Sequence, residues 1–166
     1  MIILGIDPGL AIVGWGVLDY SGSKFRVIGY GSLQTPAEMK TEDRLAAIYQ
    51  EMIQLIDTYH PEQMAVEELF FNTNITTGIR VAEARGVILL AGRQKNVALF
   101  EYTPLQVKQA VAGYGRADKK QVITMVTSLL RLKEPPKPDD TADALAIAVC
   151  HAHTGCSPLA AYYNLK

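Results

Sequence analysis

Ile2-Ile-Leu-Gly-Ile-Asp7-Pro-Gly-Leu10 and, just after it, Val13-Gly-Trp-Gly-Val-Leu-Asp-Tyr20 decide how the rest of the chain is read. Residues 2–7 carry no charge until Asp7 and meet the turn pair Pro8-Gly9, so they read as a buried strand that stops at a carboxylate. Residues 13–20 alternate glycine with larger side chains and read as a second strand. Ser21-Gly22-Ser23 is hairpin-turn chemistry, and Phe25–Leu33 is a third strand. Three antiparallel strands are therefore expected first.

Beyond Pro36 the period changes. Leu45, Ile48, Tyr49, Met52, Leu55, Ile56 and Tyr59 recur at helical spacing, which predicts a helix over 42–59 that ends at His60-Pro61. Gln63–Glu67 is a short strand, parallel to the first because a helix crosses between them. A loop over 68–75 carries Phe70, Phe71, Asn72 and Asn74, and a helix follows over 76–95. Val97–Tyr102 is a fifth strand. Thr103-Pro104 is a cap and first-turn pair that starts another helix. Gly113-Tyr-Gly115 interrupts, helices are expected over 117–132 and 139–151, and Pro135-Pro-Lys-Pro138 is a stiff connector between them. The result is an α/β chain with a mixed five-stranded sheet, antiparallel hairpin strands first, flanked by helices. One domain over 1–166 is expected, without repeats.

Composition narrows the function. Of 166 residues, 49% are apolar and 20% charged, a balance that builds a core and argues against disorder. No apolar stretch is long enough to span a bilayer, and the opening run lacks the basic flank of an export signal. The two cysteines, Cys150 and Cys156, are no disulfide framework, so the cytoplasm is the expected compartment. A net charge of −1 argues against a generic nucleic-acid coat, but the charge is uneven. Residues 38–68 carry a net −6, whereas 106–138, with Lys108, Arg116, Lys119 and Lys120, carry +5. By itself that asymmetry fits a solvated pair of helices better than a polyanion-binding face.

The chemistry lies in acids at the ends of buried elements. Asp7 closes the first strand and Glu67 the fourth, and two parallel neighbours would deliver both to one sheet edge. Asp140 and Asp143, three apart, share a face of the last helix, where Ala142, Ala144 and Ala146 permit close approach to the sheet. Singly, each acid has an ordinary explanation as a turn former, a solvated strand end or a helix cap. Jointly they make a like-charged cluster that a divalent cation would relieve, and all-oxygen ligation favours Mg²⁺ or Mn²⁺ over zinc. Strand alternation sends Glu68 to the face opposite Glu67. Cys150, His151, His153 and Cys156 have irregular spacing for a zinc site and read as a buried thiol and surface side chains.

At these residues the chain resembles a known family. Gly5-Ile-Asp7-Pro-Gly-Leu with Gly14-Trp-Gly-Val, then Ala65-Val-Glu67-Glu-Leu-Phe-Phe, Gln106-Val-Lys108-Gln, and Asp140-Thr-Ala-Asp143-Ala-Leu-Ala are similar, in order and along nearly the whole chain, to the RuvC family of crossover junction endodeoxyribonucleases. The resemblance implies a ribonuclease H-like fold and hydrolytic resolution of four-way DNA junctions in recombination and repair. It maps the family's acidic cluster onto Asp7, Glu67, Asp140 and Asp143, holding two Mg²⁺ ions, with Mn²⁺ as a substitute. It makes Phe70 a DNA contact and places Lys108 and Lys119 near the scissile phosphate, with Lys120 and Arg116 as backbone contacts. It further implies a homodimer and a branch-migration motor complex as partner. The helix over 76–95, apolar beyond one face, is consistent with a dimer. An RNA-cutting ribonuclease H relative and a non-catalytic junction binder stay open as alternatives.

Overall fold

The computed structural model describes residues 1–69 and 75–155. The strands are β1 (Ile2–Asp7), β2 (Ile12–Ser21), β3 (Lys24–Gln34), β4 (Gln63–Glu67) and β5 (Ala98–Tyr102). The helices are α1 (Thr41–Tyr59), α2 (Ile75–Gln94), α3 (Pro104–Ala112), α4 (Lys119–Leu129) and α5 (Asp139–Thr154). One mixed sheet runs in the order β3-β2-β1-β4-β5. The hairpin strands pair antiparallel with each other and with β1, while β4 lies parallel to β1 and β5 parallel to β4. This is the expected architecture, because a hairpin turn enforces antiparallel pairing and a helical crossover enforces parallel pairing.

Strand alternation divides the core into two layers. Ile3 and Ala65 pack with α3, α4 and α5 on one face of the sheet. Leu4, Ile6, Met64 and Val66 pack with α1 and α2 on the other. Positions 3, 5 and 7 of β1 and 63, 65 and 67 of β4 therefore point to the α5 side. Ile6 pairs with Val66, so Asp7 and Glu67 follow at adjacent strand ends on that same side.

α5 lies closer to the sheet than ordinary side chains allow. A Cβ added to Gly5 would stand 2.2 Å from the Ala144 carbonyl oxygen and 2.8 Å from the Ala148 Cβ. At Gly14 it would stand 2.0 Å from the Asp140 carbonyl oxygen, and at Gly16 2.6 Å from the Leu145 side chain. Small residues on the helix answer glycines on the strands, and residues 144–152 are all buried. Within 141–152 only Asp143 keeps partial exposure.

Local capping sets the neighbouring helices. Thr103 accepts from the Gln106 amide while the Gln106 side chain accepts from the Thr103 amide, a reciprocal capping box with Pro104 in the first turn. Asp118 and Gln121 repeat the device. That second box shortens the expected helix over 117–132. Asp118 caps rather than continues it, Ala117 is buried in the core, and the chain leaves the helix at Leu130 before Arg131 adopts φ +52°. The last helix runs three residues past the expected end, to Thr154.

Gly14→Ala places its methyl against helix backbone that has no flexible end to yield. It should cost about 1–3 kcal/mol of unfolding free energy. Urea denaturation of the two proteins measures this, and an unchanged midpoint would show that the helix has room to move.

Candidate carboxylate site at the β1–β4 edge

Three elements carry the candidate acids. β1 ends at Asp7 and β4 at Glu67, and α5 crosses above them, bringing Asp140 and Asp143. Gly14 is the register partner of Asp7. The close approach of the Asp140 backbone to Gly14 therefore fixes the start of α5 beside Asp7. Thr141 adds a hydrogen bond of 3.2 Å to the Gly31 carbonyl on β3.

The electrostatics are those of crowded like charges. Burial, and then the charges of Glu67, Asp143 and Asp140, hold the Asp7 carboxyl well above its ordinary range, against a smaller opposing effect of Lys119. Glu67 is pushed up to about 7 by burial and by Asp143, opposed by Lys108 and Lys119. Burial also raises Asp143, although Lys119 pulls it down. The countercharge in contact is Lys119, whose Nζ lies 3.1 Å from Asp143 and 3.7 Å from Asp139. Burial pulls its ammonium down, yet Asp143 and the nearby aspartates raise it overall, so it stays charged.

Among the described residues no three acidic, histidine or cysteine side chains close into a ready-made ligand cage. The mutual repulsion of the four carboxylates is nevertheless the better guide to what they hold. Four oxygen-bearing groups with one ammonium in contact carry an excess of negative charge that a hard divalent cation neutralises. The donor set fits Mg²⁺-type ligation.

Both lysines expected near the cluster are there. Lys108 from α3 and Lys119 from α4 line a cleft of about 210 Å³ together with Glu67 and Asp143. Arg116 and Lys120 are exposed, and neither lines that cleft. Lys120 borders a separate depression with Tyr114 and Met125. Phe70, Phe71, Asn72, Asn74 and Cys156 lie outside the described residues. The four-residue zinc grouping is not what α5 builds. Cys150 is buried, with its thiol pushed up to about 12 by burial. His153 packs edge-on to Phe25. His151 is a correction to the surface reading, since it is fully buried and hydrogen-bonds Tyr102 Oη at 2.7 Å and Gln63 Oε1 at 2.5 Å. It sits on the buried side of α5, where burial lowers it to about 4.

Two arginines that the sequence left unremarked organise the strand ends. Arg85 Nε donates to the Glu67 carbonyl at 3.1 Å, and its guanidinium meets Glu101 at 2.8 Å, tying the ends of β4 and β5 to α2. Arg44 Nε donates to Thr35 Oγ1 at 2.7 Å, and Thr35 Oγ1 in turn donates to the Leu10 carbonyl at 2.5 Å, anchoring the turn after Asp7. A lone Arg within the otherwise apolar Ala84–Ala91 stretch was the available signal for the first. Nothing local marked the second.

Sheet order, crossing helix and carboxylate edge define a ribonuclease H-like nuclease. The family model for crossover junction endodeoxyribonuclease RuvC matches residues 3–151, and the chain belongs to that family of metal-dependent nucleases. It is 58% identical over 155 residues to the RuvC protein of Alkaliphilus oremlandii, covering 93% of this chain and 94% of the relative. With the RuvC protein of Halothermothrix orenii it shares 60% over 154 residues, 93% of each chain. Among solved structures, Thermus thermophilus RuvC in complex with a Holliday junction substrate superposes with a TM-score of 0.87 at 38% identity, over 92% of this chain and 93% of the other. The chain is accordingly a Holliday junction resolvase by family.

A carboxyl raised from 4.5 to about 7 in the fold opposes folding once it must ionise. Its contribution is neutral below the unfolded value and becomes a penalty as pH rises through 4.5 toward 7. In EDTA, Glu67→Gln should therefore gain stability over the parent with increasing pH, by on the order of 3 kcal/mol at pH 8 and nearly nothing at pH 4. Urea midpoints at the two pH values test this, and a gap independent of pH contradicts it.

Proposed function

We propose that this chain resolves four-way DNA junctions by paired symmetric nicks, with Asp7, Glu67, Asp140 and Asp143 as the catalytic and metal-holding carboxylates. The convergence of β1, β4 and α5 on one carboxylate edge, with two lysines in the adjoining cleft, carries this reading. Two Mg²⁺ ions, or Mn²⁺ in their place, are the proposed cofactors, and Asp7, whose carboxyl stands among Glu67, Asp140 and Asp143, would be one of the residues that hold them. When bound, such ions activate water for attack on phosphorus and stabilise the departing 3′ oxygen. The chain's residues supply the rest. Lys119 and Lys108 place fixed positive charge on the wall of the cleft, where the phosphate's oxygens are to lie. Arg85 and Gly14 hold Glu67 and Asp140 to their positions through backbone contacts. Arg116 and Lys120, exposed beyond the cleft, are assigned to the DNA backbone, and Phe70 to a base near the crossover.

The reading includes a homodimer, which sets two sites on a two-fold substrate. Its support is the outer face of α2. Leu90 is 50% exposed and Ile79 52%, and Leu90 joins Leu45, Tyr49 and Val87 in an apolar groove between α1 and α2. A branch-migration motor complex completes the partners, and the cytoplasm is the proposed compartment. No helix among the described residues is long and apolar enough to cross a membrane.

The deciding experiment incubates the protein with a mobile synthetic four-way junction, with Mg²⁺ or with EDTA, and resolves the products on a denaturing gel. Paired nicks that require the metal are expected, and cleavage of RNA alone would replace the junction by another substrate. Asp7→Asn should lower the cleavage rate at least about a hundredfold with junction binding retained. Loss of binding and cleavage together in a folded variant would remove Asp7 from the site. Leu90→Asp should reduce the mass in sedimentation from a dimer to a single 18.2 kDa chain and abolish paired nicking; an unchanged dimer would place the interface elsewhere.

A further inference from the structure

The turn after Asp7 walls a second cleft, of about 510 Å³, which runs between residues 8–12, Arg44 of α1, and Thr76, Arg80 and Val81 of α2. Asp140 lines this cleft as Asp143 lines the lysine-walled one, so the candidate carboxylates stand between two basic clefts. The sequence has no local signal for it. Arg44 belongs to the most acidic segment of the chain, and Arg80 to a helix read as apolar.

Arg44 is the telling residue. It is only 8% exposed, yet no carboxylate pairs with it among the described residues. A guanidinium has five N–H donors. Two of them go to Thr35, to its hydroxyl and its carbonyl oxygen, and none of the others has a protein partner among the described residues. No buried side-chain nitrogen there lacks a partner, so Nη1, which has none, is not sealed in the core, and the side chain lines the cleft. Arg80, exposed and without an ion pair among the described residues, adds a second guanidinium to the same cleft. A buried cation without an anion is costly. Two planar forks around one cleft match the geometry of a phosphate group.

We propose that this cleft is a subsite for one backbone phosphate of the cleaved strand, next to the scissile one, held by Arg44 and Arg80. The proposal rests on the junction-nuclease reading above. The strand would then cross the carboxylates with its reacting phosphate between the lysine pair and the arginine pair. Arg44 and Arg80 are positioning residues: they set the register of the strand and touch no reacting atom. Because Arg44 also holds the Thr35–Leu10 bridge, occupation of the subsite and the set of the turn beside Asp7 are coupled through one side chain.

The test measures binding of the full chain in EDTA to four-way junctions that carry one uncharged methylphosphonate linkage, walked along the strand around the cut. One linkage next to the cut should weaken the parent roughly tenfold. Arg80→Ala should weaken binding of the unmodified junction to a similar degree, and the variant should be insensitive to that same linkage. A merely structural role for Arg80 predicts penalties that multiply at every linkage, and that result, or parental affinity in Arg80→Ala, overturns the subsite. Arg44→Lys keeps the charge without the fork and should lose sensitivity at the same linkage; coupling to a different one overturns the shared site. A parent that neither binds nor cuts the unmodified junction overturns the nuclease reading and the subsite with it.

Discussion

The contact on which the structure depends is that of α5 on Gly5, Gly14 and Gly16, through its backbone at the first two and the Leu145 side chain at the third. It does two jobs at once. It closes the core on one face of the sheet, where Ala144, Leu145 and Ala148 fill the space that strand side chains would otherwise take. It also sets the start of α5 over the register partner of Asp7, so that acids some 130 residues apart in the sequence share one edge. Glycine is required at Gly5 and Gly14 by proximity rather than by turn geometry, because backbone and Cβ atoms of the helix already occupy the place of a side chain.

That packing gathers negative charge at a cost. Asp7, Glu67 and Asp143 all stand above their ordinary ranges, with burial the leading cause for each. A fold selected for stability alone would separate these groups or give each a cation. Here, among the described residues, Lys119 is the one cation in ion-pair contact with the cluster, and Lys108 acts on Glu67 from the wall of the cleft. Strongly perturbed carboxyls gathered at one edge mark a functional site rather than a structural one, and a divalent cation would relieve their repulsion.

The two faces of the sheet divide the charge. The acidic segment supplies α1 on one face, and the basic one supplies α3 and α4 on the other, beside the carboxylate edge. The basic segment thus delivers Lys108 and Lys119 to the cleft beside Glu67 and Asp143, while Arg116 and Lys120 stay outside that cleft. Arg44 runs against the pattern as a cation inside the acidic face, drawn in by Thr35.

Much of this was legible in the sequence. Five strands and five helices fell within a few residues of their expected places, because apolar period, turn residues and caps act over short stretches of chain. The placement of Asp7 and Glu67 at neighbouring strand ends followed from the crossover rule. Family resemblance, rather than spacing, singled out Lys108 and Lys119 among the basic residues. Only the tertiary structure decided how near α5 comes to the sheet, that Arg85 holds the Glu67 carbonyl and Arg44 the turn at Leu10, and that His151 is buried against Tyr102 and Gln63. Each of those depends on atoms of residues far apart in the chain meeting at hydrogen-bond or van der Waals distance. Local pattern specifies the elements, but such distances exist only once the elements are packed.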